Sequence, residues 1–260
     1  MSEKTNNKIT VIDFPESIDN AITNLSDIPT KNIGQTFGDL WYLVFGGISH
    51  AADKKRMRYS LELAKYQTEL SKSINSIPND KRIEPSIHIT AQALENSKYC
   101  ISSSILRQMF VNLISGTMNS DLEEHVHPSF PEILKQLSEN DALMLQILKQ
   151  KNVLPIANIG FRPDKESRRI IFRNISSIIP DGSSVNKCAV SISSLVRTGL
   201  VSTTFSEYLT DETMYEPIKK ISIYSEIETQ CIASNKELLF QKGICNLTPL
   251  GNEFILSCVS

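Results

Sequence analysis

Long hydrophobic runs are missing from this sequence. No apolar stretch approaches the roughly 20 residues that a helix needs to span a bilayer. The opening residues, MSEKTNNKIT, lack the apolar segment of a secretion signal. We therefore expect a cytoplasmic protein that neither spans a membrane nor is exported.

Cysteine is scarce and shows no pairing pattern. The sequence has five cysteines, an odd number, widely spaced and without a C-x-x-C motif: Cys100, Cys188, Cys231, Cys245 and Cys258. A disulfide framework normally shows an even number of cysteines at short, regular spacings. Buried thiols in a reducing compartment are the better interpretation.

Neither sign of charge prevails. The 27 Lys and Arg residues nearly balance the 29 Asp and Glu residues, which gives a net charge of −2. Residues 139–260 contain 13 residues of each sign. Nucleic acid is therefore not an expected partner, because a nucleic-acid-binding domain usually carries an excess of cations.

Motifs with a known chemical mechanism are also missing. The sequence contains no phosphate-binding G-x-x-x-x-G-K-[ST] loop, no G-x-S-x-G nucleophile elbow and no dinucleotide-binding G-x-G-x-x-G. The Gly46-Gly47 pair alone does not make a phosphate loop. We predict no catalytic residue, no cofactor and no enzymatic activity.

The first half of the chain has helical periodicity. Residues 1–34 are polar and broken by prolines, which predicts a flexible arm. From Ala51 an apolar residue recurs every three or four positions, as on one face of a helix, until Pro78 ends the pattern. A second helix should begin near Pro85 with Ile87 inward, and a third should end near Gly116.

Two S-x-x-[DE] patterns predict the starts of two further helices. Ser129 with Glu132, and Ser138 with Asp141, each have the spacing of a capping box. All residues from 35 to 138 are thus assigned to a helical domain.

The second half mixes strand-like and helical patterns. Residues 154–161 and 168–175 predict a hairpin, a helix follows that ends at Gly199, and a strand follows over 201–205. Thr248 and Pro249 predict the cap and first turn of a closing helix. One more helix is assigned an apolar face of Ile223, Ile227, Cys231 and Leu238. The fold class is therefore mainly α, with a winged-helix-like α+β domain over 139–260 that contains a helical insertion.

The stretch Asp39–Arg58, DLWYLVFGGISHAADKKRMR, joins apolar residues to a basic cluster. An interfacial membrane anchor needs an apolar face over several turns with cations opposite it. Here the apolar part is short, and the cations follow it at Lys54, Lys55, Arg56 and Arg58. Packing between helices is favoured over peripheral membrane contact, and the candidate interaction residues are Trp41, Tyr42 and Phe45.

His125 and His127 are the candidate metal ligands. They flank Val126 and follow two glutamates, and imidazole and carboxylate are both metal-binding groups. In a strand both histidines would point to the same side. No H-x-x-x-H or H-E-x-x-H spacing accompanies them, so the favoured interpretation is a turn that hydrogen-bonds the start of the following helix.

Three stretches together resemble the Abi-alpha family of bacterial abortive-infection proteins. They are GDLWYLVFGGISHAADKKR, HVHPSFPEILKQLSENDALML and the closing LTPLGNEFILSCV. The likeness spans residues 34–260 and implies a role in anti-phage defence. It carries no catalytic residue over to this chain.

Three functions remain open at this point. The favoured one is a non-enzymatic interaction or effector protein of anti-phage defence with a protein partner, for which a second copy of the chain is one option. The alternative is a DNA-binding regulator using the winged-helix-like domain, although the helix over 187–197 exposes mainly serines, which rarely specify bases alone. The third is a metal-dependent hydrolase built on His125 and His127.

Overall fold

The computed structural model describes residues 33–46, 54–164, 166–178 and 184–259, with side chains from residue 36 to 46 and from residue 58 onward. The arm assigned to residues 1–34 lies outside the described residues, apart from its last two positions. These two positions begin the first helix, at Ile33.

The first half of the chain is helical, as predicted. Its helices are α1 Ile33–Phe45, α2 Lys54–Ser76, α3 Ile87–Ser97, α4 Ser104–Gly116, α5 Phe130–Gln136 and α6 Glu139–Lys151. The periodic face of α2 is confirmed, because Tyr66, Leu70 and Ile74 are fully buried. Pro78 follows α2 because proline cannot continue a helix.

Two local predictions in this half are wrong. Ile87 is 54% exposed, because the buried face of α3 begins two residues later, at Ile89. The side chain of Ser129 does not cap α5. Its backbone is helical, with φ of −78° and ψ of −14°, whereas a capping residue normally has an extended backbone that aims its side chain at the helix start.

The second predicted capping box is confirmed at the start of α6. The Ser138 hydroxyl accepts a hydrogen bond from the Asp141 backbone N–H at 3.2 Å, and the Asp141 carboxylate accepts one from the Ser138 N–H at 2.9 Å. Both bonds satisfy backbone donors that the first turn of a helix leaves unpaired.

The second half forms a four-stranded antiparallel sheet flanked by helices. The strands have the order β2-β1-β4-β3, and the predicted β1–β2 hairpin is confirmed. In chain order the elements are β1 Val153–Arg162, β2 Arg169–Ile175, α7 Val185–Arg197, β3 Val201–Thr204, α8 Glu216–Lys219, α9 Ser222–Ala233, β4 Glu237–Leu247 and α10 Pro249–Cys258.

The longest strand, β4, is absent from the sequence-based prediction. Leu238 was expected on the face of α9 with Cys231, but α9 ends at Ala233 and Leu238 lies in β4. The chain turns between them at Asn235, which has a left-handed φ of 50°. Every residue of β1 pairs with β4, so this strand holds the centre of the sheet.

The sheet separates two apolar cores. On one side Leu154, Ile156 and Cys245 join a large core that extends from α1 to α10. On the other side Ala157 and Ile159 join a smaller core with side chains of β2, α8, α9 and the turn before α8. The large core includes residues on both sides of position 138. The division into two domains and the winged-helix assignment both stay predictions.

A buried arginine holds α2 against α4. The Arg107 side chain is 7% exposed, and its Nε and Nη2 donate to the Glu69 carboxylate at 2.7 and 2.9 Å. Its Nη1 donates to Glu62 Oε2 at 2.8 Å and to the Ile101 carbonyl at 2.7 Å. A buried charge is tolerated only when its donors are satisfied in this way.

The end of α7 and the start of α10 meet through backbone groups. The Leu200 N–H donates to the Leu195 carbonyl at 3.1 Å, and Gly199 has φ of 76°. This confirms the predicted Schellman end of α7. The Thr248 hydroxyl accepts from the Gly251 N–H at 3.0 Å, which confirms the predicted cap of α10.

We expect Gly251→Ala to lower the free energy of unfolding by about 1–3 kcal/mol. The added methyl group would overlap the Leu200 carbonyl oxygen, a backbone atom that cannot rotate away. Gly116→Ala is the matched control, because its methyl group would meet the nearest atom, Val126 Cγ2, at 3.5 Å. Urea unfolding followed by circular dichroism compares them, and equal stability of the two variants would contradict the close approach.

Candidate functional site

One face of α1 is an aromatic cluster buried against α2 and α3. Phe37, Trp41 and Phe45 are each at most 4% exposed. The Trp41 ring centre lies 4.5 Å from that of Phe45 and 5.6 Å from that of Tyr66 in α2, in tilted arrangements. Such pairs stabilise a core beyond their buried area. The packing interpretation of Trp41 is thus confirmed.

The opposite face of α1 is open to solvent. Tyr42 is 61% exposed and Leu43 is 78% exposed, and together with Asp39 and Gly46 they line an open groove. We call these four residues, three in α1 and Gly46 directly after it, the outward face of α1. The Tyr42 ring lies over Gly46, where a Cβ atom would come within 2.9 Å of the ring.

The structure separates the three candidate interaction residues. Trp41 and Phe45 face the core, and Tyr42 faces solvent. Leu43, which the sequence-based set omits, is the most exposed apolar residue of α1. Helical spacing from Trp41 would have found it, because a residue two positions away lies about 200° around the helix. The interaction role itself stays a prediction.

The basic cluster after α1 is only partly described. The side chains of Lys54, Lys55 and Arg56 lie outside the described residues, and Arg58 is exposed. Among the helices that the structure describes, none combines the length and the apolar character needed to cross a membrane. Peripheral membrane contact is a separate question, and it stays untested.

His125 and His127 point to different partners. His125 ends a short 3₁₀ turn over Glu123–His125, so the strand-like geometry that would align the two rings is wrong. Its Nδ1 lies 2.6 Å from Glu253 Oε2 in α10. Within the described ranges, no three His, Cys, Asp or Glu side chains gather as they would around a metal ion.

His127 supports the turn before α5, as the favoured interpretation predicts. Its Nδ1 accepts a hydrogen bond from the Ser129 backbone N–H at 3.2 Å and lies 2.8 Å from the Ser129 hydroxyl. Because Nδ1 accepts from a backbone donor, it carries no proton in this contact, and a neutral His127 ring is protonated at Nε2.

The five cysteines are all buried, and all are free thiols. Burial raises the pKa of each thiol, and it raises the pKa of Cys245 to about 12. The thiolate is the reactive form. Burial therefore leaves these residues inert at neutral pH rather than poised as nucleophiles.

A groove of about 300 Å³ lies where the ends of α2, α4 and α10 meet. Ser73 Oγ donates to Ser115 Oγ at 2.9 Å, and Ser115 Oγ donates to the Asn112 carbonyl at 3.1 Å. These hydroxyl groups already have protein partners, and every lining residue is neutral. The groove therefore lacks the charged or activated group that catalysis requires.

The family assignment rests on a match that covers most of the chain. The abortive infection alpha family model matches residues 58–258, from the first turns of α2 to the end of α10. The chain belongs to the abortive infection alpha family. The resemblance seen in the sequence is thereby confirmed, and membership suggests a role in abortive infection. Helix α1, which carries Trp41 and the outward face, precedes residue 58 and therefore lies outside the part of the chain that the family model matches.

Two further comparisons add little to the family assignment. No curated protein matches the sequence. A solved structure of an uncharacterized protein from the hydrocarbon-degrading marine bacterium Alcanivorax borkumensis SK2 is similar at 17% identity and a TM-score of 0.36. That similarity covers 54% of this chain and 96% of the other.

We expect blue-shifted Trp41 emission in buffer that anionic vesicles leave unchanged, because the indole is buried. Trp41→Ala should lower the free energy of unfolding by about 3–5 kcal/mol, the usual cost of truncating a buried aromatic side chain. The control Tyr42→Ala, at an exposed position, should change it by at most about 0.5 kcal/mol. Exposed-indole emission that shifts only with vesicles would contradict the packing.

We expect native protein to react slowly with a thiol reagent such as DTNB at pH 8, because burial keeps the five thiols protonated and inaccessible. In guanidinium chloride all five should react at once. The absorbance of the released thionitrobenzoate gives the number of reactive thiols in the native protein and in the unfolded protein. A native thiol that reacts within seconds would contradict this account of the cysteines.

Proposed function

We propose that this protein acts in the cytoplasm as an interaction component of abortive infection defence, without catalytic activity of its own. Family membership supports the defence role. The observation that carries the interaction role is the outward face of α1. There Tyr42 and Leu43 are 61% and 78% exposed on a helix whose other face is already packed.

The packing beneath α1 makes its outward face a suitable contact. The aromatic cluster anchors the helix to α2 and α3, so the exposed pair lies on an ordered surface. A partner then binds without the cost of first ordering this segment. A helix that offers neighbouring apolar side chains fits an apolar groove on another protein, and Asp39 adds a charged group at the rim of the contact.

Contacts within the chain support a non-enzymatic role. The two candidate metal ligands have structural partners within the chain: His125 contacts Glu253, and His127 contacts Ser129. The five unpaired, buried cysteines fit a reducing compartment such as the cytoplasm. The partner is a protein, and a second copy of this chain is one option.

The alternative function is a DNA-binding regulator. In this proposal α7, β3, β4 and α10 form a winged-helix-like unit, and residues 205–236 are its helical insertion. The order of these elements and the antiparallel pairing of β3 with β4 support it. A gel shift with genomic fragments at low salt tests it, since a specific regulator binds its site far more tightly than micromolar.

We expect Leu43→Glu to abolish or strongly reduce protection from phage, because a charge on the outward face of α1 cannot be buried against an apolar partner. Leu61→Glu is the matched control, since Leu61 is 60% exposed on α2. Phage plating on cells that carry each gene measures protection. Stability of both variants should stay within about 0.5 kcal/mol of the wild type.

Two results would overturn the proposal. If the wild-type gene leaves plating efficiency unchanged across a broad phage panel, the defence role is wrong. If Leu43→Glu protects as well as Leu61→Glu does, the outward face of α1 is not the contact surface.

A further inference from the structure

Positive charge is concentrated in one segment that the overall balance conceals. Residues 162–197 contain seven Lys and Arg residues and three Asp and Glu residues, a net charge of +4. The remaining 20 basic and 26 acidic residues give −6. This segment begins at the end of β1 and contains β2 and α7. A basic segment in an otherwise acidic chain indicates a surface for a polyanion.

The arginines of β2 and its turn are available to bind an anion. Arg162 is engaged with Glu237 at 3.6 Å. Arg168, Arg169 and Arg173 are exposed, and none of them has an ion pair with a carboxylate in the described part of the chain. Arg169 lies over the Phe161 ring, 5.7 Å from its centre, which holds the guanidinium in place.

Helix α7 extends this basic surface. Asn174 Nδ2 donates to Ser193 Oγ at 3.3 Å, which places the end of β2 against α7. Asn186, Val190, Ser193 and Arg197 are exposed at helical spacing on this side of α7, and Arg197 Nη1 also donates to Gln136 Oε1 at 2.8 Å. The helix has no acidic residue. Side-chain amides beside arginines, such as that of Asn186, are common contacts to phosphate oxygens. The Ser193 hydroxyl itself donates to the Ala189 carbonyl at 2.9 Å.

Protection of a sheet edge does not explain this charge. β2 is an edge strand, and its pairing with β1 has register shifts at two places. Bulges and charges on edge strands prevent unwanted strand pairing. Charge of either sign would serve that purpose. Neither β2 nor α7 contains an acidic residue, and this shared excess of positive charge requires a further reason.

We infer that β2 and α7 form a surface that binds the phosphate backbone of nucleic acid without reading its sequence. The exposed apolar residues here, Ile171, Val190 and Val196, are short and β-branched, whereas a membrane-inserting surface usually offers Trp, Phe or Leu. The surface shares no residue with the outward face of α1, and the inference does not depend on the proposed function.

The test uses a fluorescein-labelled 30-base-pair duplex of arbitrary sequence and the full chain, with anisotropy measured in 50 mM salt. We expect micromolar binding that is the same for a shuffled sequence. If three phosphates are contacted, raising the salt to 200 mM should weaken binding about 40-fold. The triple variant Arg168→Glu, Arg169→Glu, Arg173→Glu should bind at least tenfold more weakly.

A second triple variant separates this surface from the effect of net charge. Lys72→Glu, Lys151→Glu and Lys220→Glu reverse three exposed lysines elsewhere and change the net charge equally. This control should keep most of the binding, and unchanged Trp41 emission should show that both variants are folded. Equal loss in both triple variants, or no binding at 10 μM protein, would overturn the inference. Binding to phosphatidylserine vesicles but not to the duplex would also overturn it, in favour of a lipid surface.

Discussion

The structure depends on polar side chains of the helical half that donate to the carbonyl groups at the end of α10. Asn112 Nδ2 in α4 donates to the Cys258 carbonyl at 2.9 Å, and Lys149 Nζ in α6 donates to the Val259 carbonyl at 2.8 Å. The carbonyls at a helix end have no partner within the helix, so these side chains replace the lost hydrogen bonds. Phe254 adds an edge-to-face contact with Phe130 in α5, at 5.0 Å between ring centres. The last described helix thus ties the helical half to the sheet.

Helix α10 also fixes the position of His125, one of the two candidate metal ligands. The Ser257 hydroxyl donates to the His125 carbonyl at 2.7 Å, and Glu253 lies beside the His125 ring. A residue whose backbone and side chain both contact α10 has little freedom to reorient toward a metal ion. In the structure His125 therefore forms part of the contact between the helical half and α10.

Sequence patterns predicted those elements whose determinants are local. The cap at Ser138, the Schellman end at Gly199 and the cap at Thr248 each depend on a few consecutive residues, and all three are confirmed. Strand β4 was missed because Leu238 continues the helical spacing of Ile227 and Cys231 across a turn at Asn235. Its place between β1 and β3 depends on partners far away in the sequence. The exposure of Leu43 beside the buried Trp41 likewise depends on which face of α1 meets α2.

The distribution of charge over the surface likewise cannot be predicted from local sequence patterns. Counting residues 139–260 as one block gives an equal number of each sign and conceals the basic segment. The hydrogen bond between Asn174 and Ser193 places the end of β2 against α7, which is the contact on which the proposed basic surface rests. The outward face of α1 and the proposed basic surface lie on separate elements of the chain. The two proposed contact surfaces share no residue, so separate substitutions test the two proposals.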